Sequence, residues 1–361
     1  MNRRPNDKNQ CPDHDTEQAV SPPSFRPMSA AEANRKIVSG WGAADLHVHT
    51  WCSHDVMPLR HLDPLVLYAK ARRRGFRFVA FTDHDTMDAY DRVGWTRPGI
   101  VPSVELKILD RVRVGHTLHI NVYGLTRDQF TDLREIVTAE PHIERLVEYL
   151  RRAGLAFVYN HPFWHEPWET PDIQSIIDVA SLFPVLEYNS GRVKALNLLA
   201  LALAEKHRSR VVAGSDTHVG EIGRAFTVAP GEDFDGFFAA VRRGVAGVTG
   251  EDMTASRMTQ EVVHRIHYLF DKRDWRFEKP SYAIETGNRL LDGLVRRRAA
   301  HTGASRRWLI RWLGLALRAI VQSGIPAALY INSQKMLALK IQQTASLTGR
   351  PGLPPQPVLE A

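Results

Sequence analysis

Two short segments of the chain each hold several side chains that can bind a metal ion, and each follows an apolar run. Residues 45–50 read Asp-Leu-His-Val-His-Thr, and residues 82–86 read Thr-Asp-His-Asp-Thr. Alternate side chains of a β-strand lie on the same face, so His47 and His49 are expected to point the same way. A His-x-His pair at the end of a strand is therefore predicted to chelate a metal ion.

Further acids, amides and histidines fall within or just after other apolar runs of the sequence. These residues are Glu105, His119, Asn160, His161, Asp216 and His218. A single histidine in such a place is usually a structural residue. Repetition at run after run is not explained by packing, because unpaired buried polar groups are costly. The repetition predicts one site built from several strand ends, as in β/α barrels.

Short apolar runs alternate with helical patterns from residue 41 onward, and this alternation predicts a parallel β/α barrel. Seven runs are predicted to be strands: residues 43–49, 76–82, 100–106, 117–123, 156–160, 184–188 and 210–213. Residues 63–74 and 193–207 are predicted to be helices between them. The runs at 224–229 and 245–248 are expected to close the barrel or to flank it.

The composition of the 361 residues, 43% hydrophobic and 24% charged, is that of a soluble globular protein. Only Cys11 and Cys52 are present, so no disulfide framework can form, and a cytoplasmic location is expected. Residues 1–38 are polar, contain no apolar signal region and are predicted to be a disordered tail. We expect a metallohydrolase domain at 39–255, a helical region at 256–345 and a second disordered tail at 346–361. The net charge of +7 favours anionic substrates or surfaces.

The C-terminal third carries a basic and apolar pattern. Residues 289–318 hold eight arginines and one acid, Asp292, together with tryptophans and leucines. A helical segment over 289–322 with this composition could lie peripherally on an anionic membrane, or it could pack against the barrel or a partner subunit. A membrane-spanning helix is disfavoured because it would bury two arginines and break at Gly324 and Pro326. No recognised nucleic-acid motif accompanies the arginines.

Four segments together resemble the ordered signature motifs of the PHP (polymerase and histidinol phosphatase) superfamily. They are residues 45–50, residues 82–86, residues 160–162 (Asn-His-Pro) and residues 214–218 (Gly-Ser-Asp-Thr-His). The resemblance covers about residues 41–250. It implies an α/β fold, a distorted seven-stranded (β/α) barrel, here with a helical C-terminal appendage. It also implies a centre of two or three divalent ions that hydrolyses phosphate esters.

The resemblance further implies which residues would hold the ions. The first ion would be held by His47, His49, Glu105 and Asp216. The second would be held by Glu105, His119 and His161, with Glu105 bridging the two ions. The third would be held by His84, His218 and one residue of segment 53–55; Asp55 is expected there, and His54 is the alternative. Nitrogen and oxygen ligands without thiolate fit zinc, manganese or iron.

Two residues are candidates for catalytic roles beside the metals. Asp83 is expected to orient a metal ligand or to carry a proton. Arg224 is expected to bind a phosphate group with its guanidinium, or to form a salt bridge that closes the barrel. Arg192 is a second candidate for the phosphate, and Asp45 is expected to support the histidines from behind.

These residues predict a metal-dependent phosphoesterase in which a metal-activated water attacks phosphorus. The substrate could be a small phosphomonoester, a nucleotide or a short oligonucleotide. Hydrolysis of a carboxylic ester or amide on the same metals is an alternative reaction. A regulatory module that binds metal without catalysis is an alternative of another class, which the complete ligand set disfavours.

Overall fold

The computed structural model describes residues 26–57, 59–139, 141–166, 168–270 and 307–344. Residues 1–25, the region 271–306 and the tail beyond 344 lie outside the described residues, and so do the predictions that fall on them. The prediction of disorder up to residue 38 is wrong for Ala30–Val38, which forms helix α1. A capping box between Ser29 and Glu32 starts this helix, because each side chain accepts a backbone N–H of the other residue.

The described strands form one sheet of nine, whereas seven strands were expected. They are β1 (Gly42–Asp45), β2 (Phe78–Phe81), β3 (Ile100–Leu109), β4 (Thr117–Tyr123), β5 (Ala156–Tyr159), β6 (Val185–Asn189), β7 (Arg210–Gly214), β8 (Ala225–Ala229) and β9 (Gly247–Gly250). Their order is β7-β6-β5-β4-β3-β2-β1-β8-β9. Each of the seven predicted runs holds a strand, and the two runs expected to close or flank the barrel form β8 and β9.

The strands run in mixed directions, so the prediction of a wholly parallel barrel is wrong. Parallel pairs join β1 to β2, β2 to β3, β5 to β6 and β6 to β7. Antiparallel pairs join β3 to β4, β4 to β5, β1 to β8 and β8 to β9. The segment 110–116 between β3 and β4 is too short for the helical crossover that a parallel pair needs, so β4 reverses.

The barrel is nearly closed, and its closure joins the first and fourth motifs. Strand β7 contacts β8 and β9, and the backbone N–H of Ala213 donates to Thr227 Oγ1 at 2.8 Å. Beyond the ends of β1 and β7, the N–H of Asp216 donates to the carbonyl of His47 at 2.8 Å. The N–H of His49 donates to the carbonyl of Thr217 at 3.2 Å. Segments 170 residues apart in sequence are thereby held side by side.

Helices surround the sheet and form its outer layer. They are α1 (Ala30–Val38), α2 (Pro64–Arg73), α3 (Asp88–Val93), α4 (Arg127–Ala139), α5 (Ile143–Arg152), α6 (Ile173–Ala180), α7 (Lys194–His207), α8 (Phe234–Arg242), α9 (Ala255–Phe270), α10 (Arg307–Gln322) and α11 (Ile325–Thr344). The predicted helices at 63–74 and 193–207 are confirmed as α2 and α7. Helix α2 begins where the Asp63 side chain accepts the N–H of Leu65, with Pro64 in the first turn.

The barrel interior is apolar at one end and polar at the other. One buried cluster draws a side chain from each of β1 to β8 and includes the phenylalanines of α8. Inward positions of a strand recur at every second residue, so Glu105 shares the face of Val101, and Glu187 shares that of Val185. These inward carboxylates are buried above the apolar layer. The alternation of inward and outward side chains along each strand therefore places the polar site directly above the apolar layer of the barrel.

Candidate metal centre

One oxygen of Glu105 faces three histidines from the first two motifs. Glu105 is fully buried on β3, and its Oε2 lies 3.1 Å from Nε2 of His47, 3.2 Å from Nε2 of His49 and 3.1 Å from Nδ1 of His84. The second motif, residues 82–86, is held beside β3 by a backbone hydrogen bond, in which the N–H of Asp85 donates to the carbonyl of Glu105 at 3.0 Å. Strand pairing therefore places His84 next to this carboxylate.

The other oxygen of Glu105 faces the remaining strands. Oε1 lies 3.1 Å from Nδ1 of His119 and 3.3 Å from Nε2 of His161, and it accepts a hydrogen bond from Asn160 Nδ2 at 2.8 Å. His119 stands near the start of β4 and Glu105 lies within β3, whereas the other predicted ligands follow strand ends. Because β4 is antiparallel to β3, its first residues lie beside the carboxyl end of β3, where Lys107 pairs with His119.

Asp216 completes the group around the His-x-His pair. Its Oδ1 lies 3.4 Å from Nε2 of His47 and 3.3 Å from Nε2 of His49. Asp216 has a backbone φ of +51°, and His161 and Asp85 also have positive φ. Such conformations are strained in residues other than glycine and concentrate at functional sites. In the described chain, three of the four such residues stand at this cluster.

Asp55 joins the cluster from the loop after the first motif. Its Oδ2 lies 2.7 Å from Nε2 of His218 and 3.4 Å from Nε2 of His84. Ser53 Oγ donates to the other oxygen of Asp55 at 2.7 Å and fixes its direction. The neighbouring His54 is exposed, and its Nε2 lies 3.4 Å from Lys107 Nζ. Of the two residues considered for this position, the structure thus brings Asp55 to the histidines.

The structure gathers all nine predicted ligands at one mouth of the barrel. Four groups have donor atoms within 4.8 Å of one another: His49 with Asp55, His84 and His218; His47 with His49 and Asp216; His47 with Glu105 and His161; and His84 with Glu105 and His119. The first two groups follow the predicted division closely. His119 and His161, predicted to share one ion, fall into separate groups around Glu105. Their assignment as metal ligands stays a prediction.

The donor set fits a cation between the carboxylates and imidazoles. Glu187 Oε1 lies 2.7 Å from His47 Nδ1, and because a carboxylate can only accept, Nδ1 carries a proton. Nε2, which faces Glu105 Oε2, is then the nitrogen whose lone pair a bound cation would use in place of a proton. Burial lowers the pKa of His47, but the carboxylates of Glu105, Glu187 and Asp216 hold that pKa well above its ordinary value. Converging lone pairs and carboxylates repel one another unless positive charge, from protons or a divalent ion, lies between them.

Sequence reasoning missed Glu187, which supports two of the predicted ligands. It is buried on β6; Oε1 contacts His47, and Oε2 accepts the backbone N–H of His161 at 3.1 Å and Asn189 Nδ2 at 2.9 Å. Asn189 also donates to Asp216 at 3.2 Å. A glutamate alone inside the apolar run Val-Leu-Glu-Tyr was the available signal, because an inward carboxylate in a strand needs a partner.

Asp45 and Asp83 each bind backbone groups of the motif loops. Asp83 accepts the N–H of Thr50 at 2.6 Å and its hydroxyl at 2.7 Å, so both carboxylate oxygens are engaged. Asp45 accepts the N–H of Ser215 at 2.9 Å and that of Gly223 at 2.7 Å. Burial raises the pKa of both carboxyls to about 6. These contacts suit positioning of the adjacent histidines, the role expected of Asp45 and one of the two expected of Asp83.

The two arginine candidates have different surroundings. The guanidinium of Arg224 pairs with Glu221 and, at 3.1 Å, with Glu251. Arg192 instead reaches the cluster: its Nη2 lies 3.1 Å from Asp216 Oδ2, and its guanidinium lies 5.5 Å from the ring centre of Trp164. Its Nε is buried and has no hydrogen-bond partner among the described residues. Arg192 therefore lies at the cluster, whereas the two described ion pairs of Arg224 lie with Glu221 and Glu251.

Comparison with known proteins gives a family match over part of the chain. The family model PHP_C, described as PHP-associated, matches residues 194–246, which include Asp216 and His218 of the fourth motif. No curated protein matches the chain.

Several solved structures resemble the chain. PsfC from Pseudomonas syringae PB-5123 is 19% identical over 63% of this chain and 97% of its own, with a TM-score of 0.45. A candidate metal-dependent phosphoesterase from Bifidobacterium adolescentis is 17% identical over 55% and 96%, with a TM-score of 0.36. The lesion-specific endonuclease PfuEndoQ from Pyrococcus furiosus is 15% identical over 84% and 91%, with a TM-score of 0.40.

Proposed function

We propose that this chain, which belongs to the PHP superfamily by its four motifs and its PHP-associated segment, is a metal-dependent hydrolase of phosphate esters. The single observation that supports this function best is the buried Glu105 carboxylate, whose two oxygens lie 3.1–3.3 Å from nitrogens of five histidines. A carboxylate with histidines on both oxygens suits a bridging ligand of a polynuclear centre. The substrate is a small phosphomonoester, a nucleotide or a short oligonucleotide.

The residues that would hold two or three ions are those of the four groups around Glu105 and Asp55. Bound ions would supply a water of lowered pKa and would offset the charge of the phosphoryl oxygens. Imidazole and carboxylate donors suit zinc, manganese or iron.

The chain itself contributes orientation and charge. Glu187 keeps the proton of His47 on Nδ1, so that Nε2 presents its lone pair to the centre. Arg192 stands 3.1 Å from Asp216, where its guanidinium can donate to phosphate oxygens of a bound substrate. Trp164 lies beside Arg192, and its ring centre is 4.6 Å from that of His119. Its indole would limit the size of a substrate that reaches Arg192. We therefore assign the phosphate contact to Arg192, and the ion pairs of Arg224 with Glu221 and Glu251 to holding its loop.

Hydrolysis of a carboxylic ester or amide on the same centre is the alternative reaction. Arg192 argues for the phosphate ester, because a guanidinium matches the anionic oxygens of a phosphate ester better than a neutral carbonyl. A non-catalytic metal-binding module is the alternative of another class.

The test combines metal content with a substrate panel. Purified protein should contain at least two transition-metal ions per chain and should hydrolyse a phosphomonoester or phosphodiester faster than a carboxylic ester. Glu105→Gln removes the negative charge between the histidines, so it should lower metal content to fewer than two ions per chain and lower turnover by at least about a hundredfold. Glu135→Gln, at an exposed position on α4, is the matched control.

Three outcomes would contradict the proposal. Less than one ion per chain after reconstitution would exclude the polynuclear centre. Faster cleavage of the carboxylic ester would favour the alternative reaction. Metal binding without hydrolysis of any substrate in the panel would favour the non-catalytic module.

A further inference from the structure

Helices α10 and α11 pack on the barrel domain with only one side of their surface. Small and branched side chains of α11 are buried at helical spacing: Ala327, Ile331, Ala338 and Ile341. This side contacts α7 and α9, while α10 packs along α9. No described helix is by itself long and apolar enough to cross a membrane, but Trp312–Gln322 and Ile325–Thr344, bent by 50°, meet the length and composition criteria together.

The opposite side of the two helices is apolar and exposed. Of the fifteen large hydrophobic side chains exposed in the described residues, eight lie between residues 312 and 344. They are Trp312, Leu315, Ile320, Ile325, Leu329, Tyr330, Met336 and Leu339. At 100° per residue, Ile325, Leu329 and Met336 lie on the side of α11 opposite its buried stripe. The outer side of α11 therefore carries these apolar side chains together with the exposed Asn332 and Gln343, and the domain leaves this side uncovered.

The charge of this region has one sign. Residues 307–344 contain five basic residues and no acid. Lys335 and Lys340 are exposed on α11 beside the outer apolar stripe. Trp312, 63% exposed, and Tyr330, 38% exposed, are of the two residue types that favour membrane interfaces. Exposed apolar side chains, lysines and interfacial aromatics, in a region without an acid, match an anionic bilayer.

We propose that the outer side of α10 and α11 docks this protein on an anionic lipid surface, with the helices lying in the interface. A spanning arrangement would strip Ala327 and Ile331 of their contacts with the domain, whereas interfacial docking uses only the side that the domain leaves uncovered. A second copy of the chain is a poorer occupant, because a two-fold contact would bring the lysines of both copies together. This proposal is independent of the hydrolase activity.

The full-length protein should co-sediment with vesicles of phosphatidylglycerol and phosphatidylcholine more than with vesicles of phosphatidylcholine alone, and less as salt rises. The double variant Leu329→Ser/Met336→Ser should weaken this binding at least about tenfold, because both side chains would enter the lipid. Lys335→Gln/Lys340→Gln should weaken it about fivefold per lysine. Val38→Ser/Val112→Ser, at positions 81% and 88% exposed elsewhere, is the matched control and should bind as wild type does.

All variants should keep the melting temperature and metal content of the wild type, since none of the changed side chains is buried or near the metal cluster. Absence of binding to the anionic vesicles would overturn the proposal, and so would equal binding by Leu329→Ser/Met336→Ser. Sedimentation velocity without lipid measures the oligomeric state and so tests whether a second copy of the chain covers this surface. A wild-type dimer that this double variant converts to a monomer would assign the surface to a second copy and would overturn the lipid proposal.

Discussion

Glu187 holds His47 from behind the cluster of predicted ligands: its Oε1 lies 2.7 Å from Nδ1 of a histidine that stands 140 residues earlier in the chain. Both residues are buried, so water cannot replace this contact. The carboxylate fixes the imidazole tautomer and makes Nε2 a stronger donor. The contact also ties β6 to the segment after β1, and Oε2 of the same carboxylate ties β6 to the segment after β5 by accepting the backbone N–H of His161.

Glu187→Gln tests this relationship. The amide oxygen can still accept the proton of His47, but the negative charge is lost, and we expect metal affinity to fall by about 10- to 100-fold. Competition with a chelator of known affinity measures the change. Glu135→Gln should have wild-type affinity, and an unchanged affinity in Glu187→Gln would show that the charge of Glu187 does not tune the centre.

Substitution of Arg192 and substitution of Arg224 should have different effects on KM. Arg192→Ala removes the guanidinium beside Asp216 and should raise KM for a phosphate ester at least about tenfold, with Arg192→Lys recovering part of the loss. Arg224→Ala breaks the ion pairs with Glu221 and Glu251 and should leave KM unchanged, with a stability loss of about 0–1 kcal/mol because the pairs are partly exposed. The reverse pattern would make Arg224 the phosphate-binding residue.

The sequence predicted the membership of the cluster better than its internal arrangement. Repeated polar residues after apolar runs identify the side chains that meet at the mouth, since inward positions of neighbouring strands must converge. The pattern carries no strand direction, so the reversal of β4 and the resulting position of His119 could not be predicted. His54 and Asp55 are adjacent in sequence, and only the path of their loop separates them.

Two other features show what periodicity misses. Helix α1 lies in a segment whose polar composition indicated a tail, although Ser29 and Glu32 carry a capping signature. Glu187 was passed over because a single acid within an apolar strand has no partner visible nearby in sequence. Its partners, His47 and His161, come from different strands, and the fold alone brings them together.

Metal removal should destabilise the protein. Glu105 and Asp216 both lie within 3.4 Å of Nε2 of His47 and of His49. A cation that binds between these groups only in the folded state stabilises that state in proportion to the logarithm of its concentration over Kd. We expect a chelator to lower the melting temperature of the wild type at pH 8, and added zinc or manganese to restore it. Glu105→Gln should respond less to both additions. Equal melting curves with and without chelator, in protein shown to have contained metal, would contradict a centre coupled to folding.

Gly214 should be needed for metal binding because there is no room for a larger side chain between it and His47. A Cβ built at this position would lie 2.3 Å from the Cβ of His47 and 2.7 Å from Glu187 Oε1. Both neighbours are buried, so Gly214→Ala should displace His47, cost about 1–3 kcal/mol of stability and reduce metal binding. Gly154→Ala is the control: that glycine has a φ of +67° and open space around its Cβ position, so the variant should bear backbone strain yet bind metal normally. Denaturant melts and metal titrations of both variants check the prediction, and full metal occupancy in Gly214→Ala would show that His47 is not required where the structure places it.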